Sequence, residues 1–218
     1  MNKDGLYADM KQAIVEGDGA KAGRLAGEAV RAGLALPEVV EKGYVPGIQK
    51  VGELWEAGEY FLPELIASAE AMKAAMAALE PGLRQSGVRA ATCGKVVIGT
   101  IEGDIHDIGK NLVAAMLQAG GFEVHDLGAD VKLERFIDKA EAVGADFICV
   151  SALLTTTMVN QKRLVALLRE RNLRDKYTVL VGGAPASRKW AEEAGADGYA
   201  ENAVAAVKLA KDLASRRA

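Results

Sequence analysis

From Lys95 to the C-terminal region, short apolar runs rich in β-branched residues alternate with segments of helical character. No other feature limits the fold as strongly. "KVVIGT" (95–100) reads as a buried strand, and a helix from about Asp107 to Ala119 follows. "FEVHDL" (122–127) is the second strand and "LERFIDKAEAV" (133–143) the next helix. "DFICVS" (146–151) is the third strand, with a helix near 156–171 after it, and "YTVLVGG" (177–183) is the fourth. A short helix, a weak strand at "DGYA" (197–200) and a closing helix to about Ala214 complete the series. "GAD" recurs at 144–146 and 195–197, each time between a helix and a strand, with glycine suited to the helix C-cap. Alternation with turns this short implies α/β architecture: a doubly wound, flavodoxin-like (Rossmann-like) parallel sheet of five strands, with helices on both faces. In such sheets ligands bind at the carboxyl ends of the strands.

Residues 1–87 follow different rules. Asp18 is a suitable N-cap for a helix ending at Gly33, and Pro37 suits the first turn of the next. Leu62, Leu65, Ile66, Ala69, Met72, Met76 and Leu79 recur at three- and four-residue steps along one helix face, with Pro81 and Gly82 expected to end it. About four helices are expected, enough for a four-helix-bundle cap. "LRQSGVRAATCG" has no period and reads as a linker. The expected division is therefore a helical cap at 1–87, a linker at 88–94 and a sheet domain at 95–218.

Several functions are disfavoured. Twenty-seven Lys and Arg oppose thirty Asp and Glu, a formal net charge of −3, which argues against a nucleic-acid surface. The longest apolar run, "FICVSALL", has 8 residues, too few to span a bilayer, and "MNKDGLYADM" lacks the apolar core of a signal peptide. Two cysteines, Cys93 and Cys149, cannot form a disulfide framework or a thiolate metal cluster, and Cys149 reads as buried packing. The expectation is a cytoplasmic protein.

Three loops follow the expected strands: "IEGDIHDIGKNL" (101–112), "SALLTTTM" (151–158) and "GGAPAS" (182–187). The first holds His106, one of only two histidines in the chain. Two readings are open for it. Asp104 or Asp107 could cap the following helix, leaving His106 a surface residue. Alternatively, Asp104 could hydrogen-bond one ring nitrogen so that the other ligates a metal, while Gly109 admits a bulky group beside the helix start. One histidine cannot hold a bare zinc ion, which takes about three or four protein ligands. A metal at His106 would therefore arrive already coordinated within a macrocycle. Glycine-rich phosphate loops are absent from the sequence, and Glu102, Asp104 and Asp107 would repel a phosphate. "SALLTTTM" could equally be a helix start with capping threonines, and Gly182–Gly183 a plain turn. His125, inside the second strand, reads as a satisfied strand histidine rather than a ligand.

Taken together, the loops resemble the cobalamin-binding domain of methionine synthase and of corrinoid methyl-carrier proteins. That family's pattern is D-x-H-x-x-G, then S-x-L, then G-G. Here it falls on Asp104, His106 and Gly109, on Ser151 and Leu153, and on Gly182 and Gly183. Forty-one residues separate Gly109 from Ser151, and 28 separate Leu153 from Gly182, as the family requires. "VGELWEAGEYFLPELIASAEAM" (51–72) looks like the helical cap that precedes this domain in methyl-transferring members. The resemblance implies that His106 replaces the cofactor's own base beneath cobalt. It implies that Asp104 bonds His106 and that Thr157, a threonine where methionine synthase has serine, continues the relay. It places Asp107, Ile108, Ser151, Leu153, Thr155, Gly182 and Gly183 around the cofactor and its displaced nucleotide tail. Trp55 and Leu62 match the positions that cover the upper face.

The implied function is methyl carriage on cobalamin or a related corrinoid. Cobalt(I) accepts a methyl group on a donor-specific methyltransferase, and methylcobalt(III) passes it to tetrahydrofolate or a thiol on an acceptor methyltransferase. A reductive activator of cobalt(II) is the further partner, with no nucleic acid and no membrane. The rivals are the small subunit of a cobalamin-dependent mutase, disfavoured by the helical cap, and a cobalamin-based sensor. A sensor typically adds a DNA-binding segment and a cap histidine, yet residues 1–87 contain no histidine. The sequence leaves the donor open among methanol, methylamine, betaine and methoxyaromatics.

Overall fold

The computed structural model describes residues 3–85 and 92–216. Contacts divide the chain into two units, Met1–Thr92 and Cys93–Ala218. The expected linker, 88–94, falls mostly on 86–91, outside the described residues.

The first unit is helical: α1 (Lys3–Val15), α2 (Gly19–Arg31), α3 (Leu36–Glu38), a π-helical segment (Val39–Tyr44), α4 (Val45–Glu56) and α5 (Leu62–Gln85). The Asp18 side chain caps α2 by accepting from Lys21 N at 2.8 Å. Pro37 occupies the first turn of α3, where its missing N–H has no helical partner to lose. Met10, Ile14, Leu25, Tyr44, Val51, Leu65, Met72 and Leu79 form the interior. The Tyr44 hydroxyl donates to Ala22 O at 2.7 Å, satisfying a polar atom the core would otherwise strand. Pro81 and Gly82 do not end the last helix; it continues through both to Gln85. The extra turn buries Leu83, and a Cβ on Gly82 would come within 2.6 Å of the Leu36 side chain. This tertiary packing outweighs the missing proline hydrogen bond.

The second unit contains β1 (Lys95–Thr100), α6 (Ile108–Ala119), β2 (Glu123–Asp126), α7 (Leu133–Val143), β3 (Phe147–Ser151), α8 (Thr155–Glu170), a 3₁₀ turn (Arg174–Lys176), β4 (Thr178–Gly182), α9 (Arg188–Ala194), β5 (Gly198–Tyr199) and α10 (Ala203–Ser215). The strands form one parallel sheet in the order β2-β1-β3-β4-β5. Val97, Ile148, Val150 and Val179 meet Phe136, Ile137, Leu164, Val165 and Leu168 from α7 and α8 in one buried cluster. Each fully buried side chain of this kind contributes roughly 1.5–3 kcal/mol. Among the described residues no helix is long and apolar enough to cross a membrane.

Both "GAD" glycines adopt the left-handed C-cap conformation, at Gly144 and Gly195. Their aspartates have a use that spacing alone did not suggest. Asp146 accepts from Lys95 N at 2.8 Å and Asp197 from Val179 N at 2.6 Å, so each fixes the start of a neighbouring strand. The chain leaves β1 towards β2 on one side and returns to β3 on the other. The switch point therefore lies between the carboxyl ends of β1 and β3.

Candidate functional site

Two loops meet at that switch point. The loop after β1 is pinned from several directions. Its backbone bonds to β3 through Ile101 N and Ser151 O at 2.9 Å. The Thr100 hydroxyl donates to His106 O at 3.0 Å, Gly103 N donates to the Asp130 carboxylate at 2.8 Å, and the Asn160 amide donates to Glu102 O at 3.0 Å.

Asp104 lies at the centre with no exposed surface. Its Oδ1 accepts from His106 N at 3.1 Å and contacts His106 Nδ1 at 2.8 Å. Its Oδ2 accepts from Leu153 N at 2.8 Å, Leu154 N at 3.2 Å and the Thr157 hydroxyl at 2.6 Å. Burial, the largest single influence, favours the neutral acid. The hydrogen bonds from Thr157, His106 and Leu153 together outweigh it and hold the carboxyl well below the usual carboxylate range. An ionised carboxylate can only accept, so Nδ1 of His106 carries the proton. The Nε2 lone pair is left free on a side chain that is 47 % exposed.

The surroundings suit a large flat ligand. Ile105 and Ile108, close to His106 in the sequence, are 76 % and 77 % exposed, and Leu153 and Leu154 are also exposed. A Cβ on Gly109 would meet no atom within 4 Å. Asp107 stands at the N-cap position of α6, yet its side chain caps nothing; it accepts from the Asn111 amide at 3.0 Å. The capping alternative thus fails for the side chains of both Asp104 and Asp107. Among the described residues no group of three or more His, Cys, Asp or Glu could hold a metal ion. A single outward imidazole, a carboxylate behind it and an apolar rim fit a metal that already has its equatorial ligands.

Further along the sheet edge, Ser151 pairs in register with Thr100 on one side and Gly182 on the other. Thr155 is exposed at the first position of α8. Gly182 and Gly183 behave differently from each other. A Cβ on Gly182 would meet only Ala200 O, at 3.9 Å. At Gly183, φ is +113° and a Cβ would overlap the Ala152 carbonyl oxygen, so the fold itself requires glycine there. The close approach expected at Gly183 is thus made by the protein's own backbone. In the helical unit, Trp55 is half-buried near the end of α4, and Phe61, Leu62 and Ile66 are exposed at the start of α5.

His125 bonds Glu123 through Nε2 at 2.9 Å, as a satisfied strand histidine would. Cys149 is buried, and burial pushes its thiol up to about 12. Residues not singled out in the sequence also shape the site. Lys110, 3 % exposed, bonds both oxygens of Asp126 at 2.6 Å and so ties α6 to the end of β2. Gln161, fully buried, reaches the ends of β3 and β4. Gln161 falls in phase with the buried Thr157, Leu164, Val165 and Leu168 on α8, and a polar residue on such a stripe was the available signal.

A family model described as the B12 binding domain matches residues 94–208, and a second of the same description matches 6–80. A corrinoid protein of Desulfitobacterium hafniense (strain Y51) is 52 % identical over 209 residues, covering 95 % of this chain and 97 % of the relative. A trimethylamine corrinoid protein of Methanosarcina acetivorans is 46 % identical over 209 residues, covering 96 % of each. A dimethylamine corrinoid protein of Methanosarcina barkeri is 50 % identical over 186 residues, covering 85 % of this chain and 87 % of the relative. Among solved structures, the methanol:cobalamin methyltransferase complex MtaBC of Methanosarcina barkeri contains a chain 31 % identical, with a TM-score of 0.85, covering 99 % of this chain and 81 % of that one.

Proposed function

The chain belongs to the B12-binding corrinoid proteins that carry methyl groups in methyltransferase systems, and from that premise we propose that His106 is the lower axial ligand of its corrinoid. The observation that carries this reading is the free Nε2 of His106, set in position by a buried, ionised Asp104 on Nδ1–H. A ligating histidine almost always gives its second N–H to such a partner. When bound, the corrin cobalt supplies the methyl-accepting and methyl-donating chemistry. The protein's residues supply ligation and tuning. Thr157 and the N–H groups of Leu153 and Leu154 hold Asp104 as an anion, and Asp104 holds the imidazole in the ligating tautomer. A proton taken up by this relay would loosen the imidazole's hold on the metal.

Ser151, Leu153, Thr155, Gly182 and Gly183 are the proposed lining of the slot for the displaced nucleotide tail. Asp107, Ile108 and Gly109 are the proposed contacts around the axial histidine. Trp55 and Leu62 are the proposed cover for the upper face, supported within the helical unit by the exposure of Leu62 beside Phe61 and Ile66.

The donor enzyme we propose is a methylamine methyltransferase, a reading supported by near-full-length relatives named for di- and trimethylamine. An acceptor methyltransferase delivering to a thiol or to tetrahydrofolate, and a reductive activator, complete the proposed system. Electron paramagnetic resonance of the cobalt(II) holoprotein tests the central assignment. Wild-type protein should show nitrogen coupling from an imidazole, and His106→Ala should lack it while still binding corrinoid. Protein-derived imidazole coupling that survives in His106→Ala would remove the assignment.

A further inference from the structure

Gln161 lies in the second turn of α8, one turn beyond Thr157 on the same buried stripe. Its amide nitrogen donates to Val150 O at 2.9 Å and to Gly182 O at 3.0 Å. Its amide oxygen accepts from the indole N–H of Trp190, on α9, at 2.8 Å. One side chain thus joins the end of β3, the end of β4 and two helices. An indole N–H is a donor only, so Trp190 fixes which end of the amide is oxygen. The two amide hydrogens are then aimed at the two carbonyls. The same strand ends are also linked by Ala152 N donating to Gly182 O at 3.1 Å. Gly183 has no room for a Cβ against Ala152. A buried polar group with three such bonds imposes one geometry on its neighbours, which an apolar residue of similar size would not.

We propose that Gln161, oriented by Trp190, is the positioning residue that sets the spacing of the loops after β3 and β4, and through it the fit of the corrinoid's nucleotide tail. The proposal rests on the tail-slot reading above. Ser151, Leu153 and Gly183 lead directly away from the strand ends that the amide joins. Thr157 and Gln161 thus divide the work of one helix edge: the first acts on the axial ligand through Asp104, the second on the slot.

Apo-protein is titrated separately with cobalamin, which carries a nucleotide tail, and with cobinamide, which lacks one; bound corrinoid is read from visible absorbance after ultrafiltration. Gln161→Met keeps the volume and removes the hydrogen bonds. It is expected to weaken cobalamin binding about tenfold, the equivalent of one net hydrogen bond, and to leave cobinamide within about twofold. Gln161→Glu, which turns carboxylate oxygens towards the two carbonyls, should be worse. Trp190→Phe should shift the cobalamin-to-cobinamide ratio in the same direction. An equal loss for both ligands, or an unchanged cobalamin affinity, would overturn the proposal. If circular dichroism shows Gln161→Met unfolded, Trp190→Phe decides alone, and an unchanged ratio there overturns it. Wild-type protein that binds both corrinoids equally would instead remove the tail slot itself.

Discussion

Replacing Asp104 with asparagine should disable His106 as a ligand without touching the histidine. The carboxylate receives Leu153 N, Leu154 N and the Thr157 hydroxyl on Oδ2, and His106 N and Nδ1 on Oδ1. Asparagine has one acceptor oxygen and one NH₂ group. Two of the donors on the Oδ2 side are backbone N–H groups that cannot turn away, so the amide oxygen belongs there. The NH₂ group then faces His106. The ring can meet it only with a bare Nδ1, which moves the proton to Nε2 and removes the lone pair needed for the metal, an inversion of tautomer. Two hydrogen bonds to a charged group are lost, at roughly 1.5–3 kcal/mol each. His106 is half-exposed and recovers part of this from water, so the apo-protein should lose about 3 kcal/mol. The ligated fraction should fall on the order of 10- to 100-fold. Urea unfolding measures the first quantity and paramagnetic resonance of the cobalt(II) form the second. Imidazole nitrogen coupling of wild-type strength in Asp104→Asn at neutral pH would refute the tautomer argument.

Gly183→Ala should destabilise the apo-protein, while Gly182→Ala should leave its thermal midpoint nearly unchanged, because only Gly183 is pressed against Ala152. The Lys110–Asp126 pair should respond unequally to removal of either partner: the Lys110 side chain is 1 % exposed and that of Asp126 36 %. Asp126→Ala strands a buried ammonium and should cost about 3–5 kcal/mol in urea unfolding, whereas Lys110→Met should cost clearly less. Acid should act through Asp104. Its folded-state pKa is depressed, so its stabilisation is complete above the unfolded value of about 3.9 and is lost as pH falls from there through the folded value. Below about pH 4, wild-type stability should therefore fall more steeply than that of Asp104→Asn, as denaturation at stepped pH would show.

The strands and helices of the second unit were readable because each is local. "KVVIGT" and "DFICVS" are short apolar runs between turn residues, and they form β1 and β3 within a residue of the expected limits. Pro81 misled because a local rule against proline met a tertiary gain, the burial of Leu83 and the packing of Gly82 on Leu36. The π-helical turn at Val39–Tyr44 carries no comparable local signal. In the site, the two-residue spacing of Asp104 and His106 allowed their pairing but left a capping role for Asp104 equally open until the family resemblance was considered, and Thr157 was reached only through that resemblance. Thr100, Asp130, Asn160 and Gln161 act through side-chain bonds to backbone groups distant from them in the chain or outside their own element, and such bonds leave no periodicity in the sequence.

The donors on Oδ2 of Asp104 come from 49, 50 and 53 residues further along the chain. In an unfolded chain the aspartate has only its near neighbours, and closing a loop of that length has an entropic penalty that must be met before the contacts form. The tautomer of His106 is therefore decided late, after β3 has docked beside β1 and α8 has begun. A nascent or partly folded chain presents an ordinary histidine, without the carboxylate that holds the proton on Nδ1 in the folded protein. Cofactor ligation through His106 thus requires that the start of α8 has come to the loop after β1, and it can serve as a kinetic marker for that long-range contact.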